Sequence, residues 1–311
     1  MSTGGDSNRA IIAALLANLG IAVAKFFGFL VTRSASMLAE SIHSVADSGN
    51  QILLIVGGRR SKRSATELHQ FGFGRERYFW AFVVSIVLFT LGGAFALFEG
   101  IEKILHPHEI ESPAWAIGIL GVSIVLEAMS FHTARREALP LKGRGSWSSF
   151  IRRSKSPEIP VVLLEDTGAL VGLVLALAAI ILAVVTGNGV WDGIGTTAIG
   201  TLLVVIAIVL SIEMKSLLIG EAASDDDQAA IAAAITNAPR VNALLNLQTE
   251  HHGPESILVT AKVEFDLDLT MRELAAVIDD AEDRVRSAVP HVDTVYLEPD
   301  VDRARGADRQ S

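Results

Sequence analysis

Cysteine is missing from all 311 residues. That removes disulfides, thiolate metal ligands and cysteine nucleophiles together, and leaves the redox compartment open. There is no Gly-rich loop ending in Lys-Ser/Thr to cradle a nucleotide, no His-Glu-x-x-His pair, and no nucleophile flanked by a base. ATP-driven pumping and membrane metalloenzyme chemistry therefore lack their residues, and the chain reads as no enzyme, with no bound cofactor. Positive charge is scarce, with 26 Lys plus Arg against 35 Asp plus Glu. The deficit sits in residues 225–309, which carry 18 acidic and 8 basic side chains. An acidic soluble part of this kind argues against nucleic-acid binding. Internal repeats and low-complexity segments are absent. No cleavable signal is evident either: the polar residues 1–9 run into an apolar stretch too long for a signal core and without a small-residue cleavage site.

What the chain has is apolar length. Half of its residues are hydrophobic and its mean hydropathy is +0.42. A hydrocarbon core about 30 Å thick takes about 20 helical residues, and six stretches fit: 11–31, 37–56, 79–99, 114–129, 160–185 and 195–214. The second carries polar residues and the fourth is short. Cations cluster at Arg59, Arg60, Lys62 and Arg63, and again across residues 135–155, while the opposite loops carry few. The positive-inside rule then puts both termini in the cytoplasm, and the lack of a presequence favours the plasma membrane. The basic residues 135–155 read as topology signals beside anionic lipid.

Residues 225–237 predict a helix with an acidic first turn that suits its dipole. Residues 244–250 and 256–265 alternate as strands around His252-Gly253-Pro254, 270–289 have helical periodicity, and 292–297 read as a last strand. This αββαβ, ferredoxin-like module leaves a sheet surface in need of a partner, which predicts a homodimer. The expected organisation is a cytoplasmic N-terminus at 1–10, a six-helix transmembrane bundle at 11–214, the α+β dimerisation domain at 215–301, and a disordered tail at 302–311.

Charged side chains inside a span cost a few kcal/mol each, so each needs a reason. The second span holds Glu40, His43 and Asp47, at the i, i+3, i+7 spacing that shares one helical stripe. The fifth adds Glu165 and Asp166 between apolar neighbours. An imidazole with two or three carboxylates is a mixed donor set suited to Zn²⁺ or a neighbouring first-row ion. The plainer alternatives are a hydrogen-bonded His–Asp contact and a Glu165 that caps or snorkels; two acidic clusters on separate spans favour the ion site. Lys25 reads as a snorkelling cation or a partner for an acidic side chain, and Asn18 as an interhelical hydrogen bond. Glu99, Glu127 and His132 fall at wetted span ends. His106 and His108 read as loop residues, and His251 and His252 as turn residues that chelate poorly.

These residues resemble the cation diffusion facilitator family, the zinc transporters among them. The segment from Ser34 to Asp47, ending in His43-x-x-x-Asp47, is similar to the family's second-span motif. His69-Gln-Phe-Gly-Phe-Gly-Arg-Glu76 is similar to its following loop, Ser156-Pro157 with Asp166 to its fifth span, and the αββαβ module to its C-terminal domain. Val162-Val-Leu-Leu-Glu-Asp-Thr167 and Gly187-Asn-Gly-Val-Trp-Asp192 resemble the branch of the mitochondrial zinc transporter nine. The resemblance implies a homodimer that exchanges cytoplasmic metal for protons by alternating access, through a tetrahedral site on spans two and five. His43, Asp47 and Asp166 fall on its positions. Val162 stands where many members have His, so Glu165, about 100° around an ideal helix from Asp166, is the candidate fourth ligand, with a water as the alternative. One nitrogen among several oxygens is a harder set. Zn²⁺ is the first expected substrate, with Mn²⁺ or Fe²⁺ as alternatives. Phe73, Lys262 and Leu297 replace His ligands of auxiliary sites, so the C-terminal domain is expected to bind metal weakly. The rival reading is a metal sensor or scaffold of the same fold that does not transport.

Overall fold

The computed structural model describes residues 19–107, 109–143 and 145–301. The expected N-terminus, the first part of span one with Asn18, His108 and the tail lie outside the described residues. The chain forms two compact units: one holds the chain up to Arg59 with Arg77–Lys215, the other Arg60–Glu76 with the chain from Ser216 onward.

The first unit is helical. Its described helices are α1 (Leu19–Thr32), α2 (Ala35–Arg60), α3 (Glu76–Leu105), α4 (Pro113–Lys142), the short α5 (Trp147–Arg153), α6 (Glu158–Thr186) and α7 (Val190–Ile219). α3, α6, α7 and Pro113–Pro140 of α4 are each long and apolar enough to cross a bilayer. The fourth span is therefore far longer than its apolar core of 114–129. Its helix runs on through Ser130, His132 and Arg135, because a backbone at membrane depth has no water to satisfy it and stays helical. α2 is polar along one side, with Ser36, Glu40, Ser41, His43, Ser44, Ser48 and Asn50 buried.

Lipid is as apolar as leucine, so helices in it associate through close packing of small residues rather than by escaping water. α3 and α7 show this. A Cβ on Gly100 would lie 2.6 Å from the Thr197 nitrogen and 2.9 Å from the Gly193 oxygen, and one on Gly200 would lie 2.7 Å from the Leu97 nitrogen. The two backbones touch, and any side chain there would part them. Within α3, Leu88–Ala94 widens into a π-helix, a distortion that recurs at functional sites.

α2 begins against α7. Asp192, fully buried, accepts from the Ala35 amide at 2.8 Å, the Ser36 amide at 3.3 Å, the Ser34 hydroxyl at 2.9 Å and the Ser36 hydroxyl at 2.5 Å. A carboxylate from another helix thus caps α2, satisfying amides that a helix start leaves open with the charge its dipole favours. The buried Lys103 ammonium lies 3.9 Å from the same carboxylate.

The second unit carries α8 (Asp225–Thr236), β1 (Val241–Gly253), β2 (Ser256–Phe265), α9 (Met271–Ala288) and β3 (Val292–Pro299). β1 pairs antiparallel with the central β2, and β2 pairs parallel with β3. The order is the expected αββαβ. Ser224 caps α8 by accepting from the Asp227 amide, ahead of three aspartates in the first turn. Thr270 and Glu273 form a capping box on α9, whose hydrogen bonds hold the Glu273 carboxyl below its usual range. Ile257, Val259, Ala261, Val263 and Phe265 of β2 bury one face against Ile231 and Ile235 of α8 and Ala281 and Val285 of α9. β1 runs through His252 to Gly253, so the reversal falls on Pro254 and Glu255.

The segment between α2 and α3 packs on this hairpin. A Cβ on Gly74 would lie 2.5 Å from the His252 carbonyl oxygen and 3.0 Å from Gly253 Cα. Phe71 stacks edgewise on His252 with ring centres 4.8 Å apart, and Arg75 pairs with Glu250. His69 stacks on Phe73, over which Arg63 lies at 4.6 Å.

Candidate metal centre

α2 turns its three membrane residues three ways. Glu40 Oε2 accepts from Lys25 of α1 at 3.1 Å, and a Cβ on Gly172 of α6 would lie 2.7 Å from Glu40 Oε1. Lys25 also donates to Ser44 at 2.8 Å. It is an acidic partner's cation, fully buried, rather than a snorkelling one. His43 is buried beside the π-helix, where a Cβ on Gly92 would lie 3.8 Å from its Nδ1. Among the described residues, both imidazole nitrogens lack a hydrogen-bond partner, as does Asp47 Oδ1. The two groups face each other at 3.6 Å, one helical turn apart.

Asp47 lines a cavity of about 30 Å³ together with Glu165 and Asp166. The space admits a water or an ion-sized guest. The adjacent Glu165 and Asp166 both reach it, despite the angle between neighbours on a helix. Asn50 donates to Glu165 Oε1 at 2.6 Å, and Ser130 of α4 donates to Asp166 Oδ2 at 3.2 Å. Val162 lines the same cavity, so the apolar replacement sits on its wall. Among the described residues, no three His, Asp or Glu side chains come together in the arrangement a metal ion needs. The carboxylates share the cavity without closing a coordination sphere in this conformation.

Glu127, read from the sequence as falling at a wetted span end, lines the cavity too. Among the other histidines, His106 lies on the surface 3.6 Å from Glu102, and His251 and His252 are buried in the second unit. Burial, then the nearby Arg75 guanidinium, push the His252 imidazole below its usual value. Lys262 pairs with Glu298 at 3.3 Å and Asp300 at 3.1 Å, and these hydrogen bonds, that of Asp300 foremost, raise it above the usual lysine value.

The family descriptions "Cation efflux transmembrane domain" and "Cation efflux protein, cytoplasmic domain" match residues 11–219 and 223–300. The mitochondrial proton-coupled zinc antiporter SLC30A9 of Homo sapiens is 32% identical over 247 residues, covering 78% of this chain and 43% of its own length. Metal tolerance protein C4 of Arabidopsis thaliana is 30% identical over 263 residues, 83% of this chain and 57% of its own. The cation-efflux pump FieF of Shewanella oneidensis is 26% identical over 302 residues, 94% of this chain and 95% of its own. The chain thus spans about half the length of the first two relatives and nearly all of the third.

Proposed function

This chain belongs to the cation diffusion facilitator, or cation efflux, family, and from that premise we propose that it is a secondary transporter exporting divalent transition-metal ions in exchange for protons. Zn²⁺ is the first substrate and Mn²⁺ or Fe²⁺ the alternatives. The observation that carries the reading is the cavity shared by Asp47, Glu165 and Asp166, with unpartnered His43 behind Asp47. These four residues are the proposed ligands.

The exchange follows from the donors. A divalent ion needs ionised carboxylates and a neutral imidazole, so protons and metal compete for the same atoms. If the site opens to one side and then the other, metal entering from the cytoplasm displaces protons, and protons entering from outside expel metal. His43 supplies the nitrogen that favours a borderline ion, and the carboxylates supply the oxygens that let harder ions compete. The proton-coupled zinc antiporter among the relatives supports this reading. The proposed location is a plasma membrane with both termini in the cytoplasm, and the proposed assembly is a homodimer formed through the α+β domain.

A metal sensor of the same fold is the second reading, favoured by the open arrangement of the donors. Flux separates the two. Proteoliposomes under an imposed pH gradient are expected to take up Zn²⁺, with Mn²⁺ and Fe²⁺ compared alongside, and Asp47→Ala to abolish uptake. Metal binding without flux of any ion, in a folded dimer, would establish the sensor.

A further inference from the structure

α4 contributes a carboxylate that the reading above does not use. Glu127 lies within Pro113–Pro140, the part of this helix long and apolar enough to cross a bilayer, near the end of its apolar stretch and about 12 Å of helix before Arg135 at about 1.5 Å per residue. An ionisable group within such a helix is costly and marks an ion pathway or a specific partner. The described hydrogen bonds and ion pairs give it no partner cation. Lys25 is committed to Glu40 and Ser44.

Geometry gives Glu127 its role. α4 packs along α6, and Glu127 and Ser130, three residues apart and so on one helical face, both line the cavity with Asp47, Glu165 and Asp166. Ser130 already donates to Asp166, which fixes that face of α4 on the site. Among the described residues, Asp47 Oδ1 and both nitrogens of the buried His43 remain without a hydrogen-bond partner. The site therefore has donors on three helices around one small cavity.

We propose that Glu127 is a further cation-binding residue of this site, supplying an oxygen ligand from α4 that biases it towards oxygen-preferring divalent ions such as Mn²⁺. The inference rests on the transport-site reading and deepens it. Small cavities lined by carboxylates select hard cations, whereas a lone imidazole gives Zn²⁺ less advantage than two would. Glu127 also gives α4 a direct link to the ion, so binding draws α4 towards α2 and α6.

The test is calorimetric titration of the full chain in detergent with Zn²⁺ and with Mn²⁺, for the parent, Glu127→Gln, Glu127→Asp and Asp47→Ala. Glu127→Gln is expected to weaken Mn²⁺ binding by about 10–100-fold, the range found when groups that tune a metal site are removed, and to weaken Zn²⁺ less. Glu127→Asp is expected to restore part of the loss. A merely structural role would weaken both ions alike and lower the metal-free Tm, and that result overturns the proposal. Binding lost in Asp47→Ala but unchanged in Glu127→Gln overturns it too, while leaving the underlying site intact. Binding unchanged in both removes the site itself.

Discussion

Lys25 and Glu40 hold each other in a place where neither would be tolerated alone, both essentially without solvent exposure. Breaking a buried pair leaves an uncompensated charge, which costs about 3–5 kcal/mol, whereas replacing both partners is often neutral. Lys25→Met is therefore expected to destabilise the helical unit by about that amount, and Lys25→Met with Glu40→Gln to recover most of it. Unfolding in a denaturing detergent series checks both, and a double variant no better than the single would disprove the pairing. Asp192 is a second such residue. Asp192→Ala removes the cap of α2 and strands Lys103, for an expected loss of about 3–5 kcal/mol. Asp192→Asn keeps most of the acceptors and is expected to lose less. His43-x-x-x-Asp47 was legible in the sequence because charge in an apolar helix is conspicuous. The cap that Asp192 makes was not, because an aspartate ahead of an apolar stretch signals nothing of this kind until the helix it caps comes into view.

At the scale of elements, the αββαβ order was readable from alternation and periodicity, and β2 spans the predicted residues 256–265. A strand half buried on one face writes a period of two, and α9 adds a capping box. α4 was misjudged for a physical reason. A hydropathy window stops at the first polar cluster, whereas a helix in lipid cannot stop there. The contact of α3 with α7 makes its own prediction: Gly200→Leu is expected to lower the Tm of the detergent-solubilised protein by several degrees, since its side chain must displace the Leu97 backbone. An unchanged Tm would mean the helices separate freely. The junction of Phe71, Gly74 and Arg75 with His252 predicts a pH response. The folded state holds His252 below its ordinary 6.5, so its neutral form is the one that fits. The contribution is whole above about 6.5 and is lost as pH falls from there through the folded value. Hydrogen exchange in residues 69–76, corrected for intrinsic rates, is expected to quicken between pH 7.5 and 5.5, and His252→Gln to flatten that response.

At the scale of the molecule, the proposed donors for a transported ion lie in the helical unit, while the second unit answers with Lys262 bound to two acids. One tightly held divalent ion per protomer is thus expected, lost altogether in Asp47→Ala; a second tight ion surviving that change would place a metal in the acidic domain. The division of the chain was only partly visible from composition. The acidity after residue 220 marks the second unit, but the residues 60–76 that join it carry the opposite charge and read as a loop. Only contacts between residues far apart in the chain assign them.

That interleaving has a consequence for how the protein is made. Arg75 and Glu250 are 175 positions apart, and a ribosome adds about 5–20 residues per second. The segment with Phe71 and Phe73 is therefore finished about 9–35 s before the strand that covers it. For that interval Phe71 lacks the His252 ring on which it stacks, and a nascent polypeptide stalled before residue 250 should be the form that chaperones bind and proteases cut there.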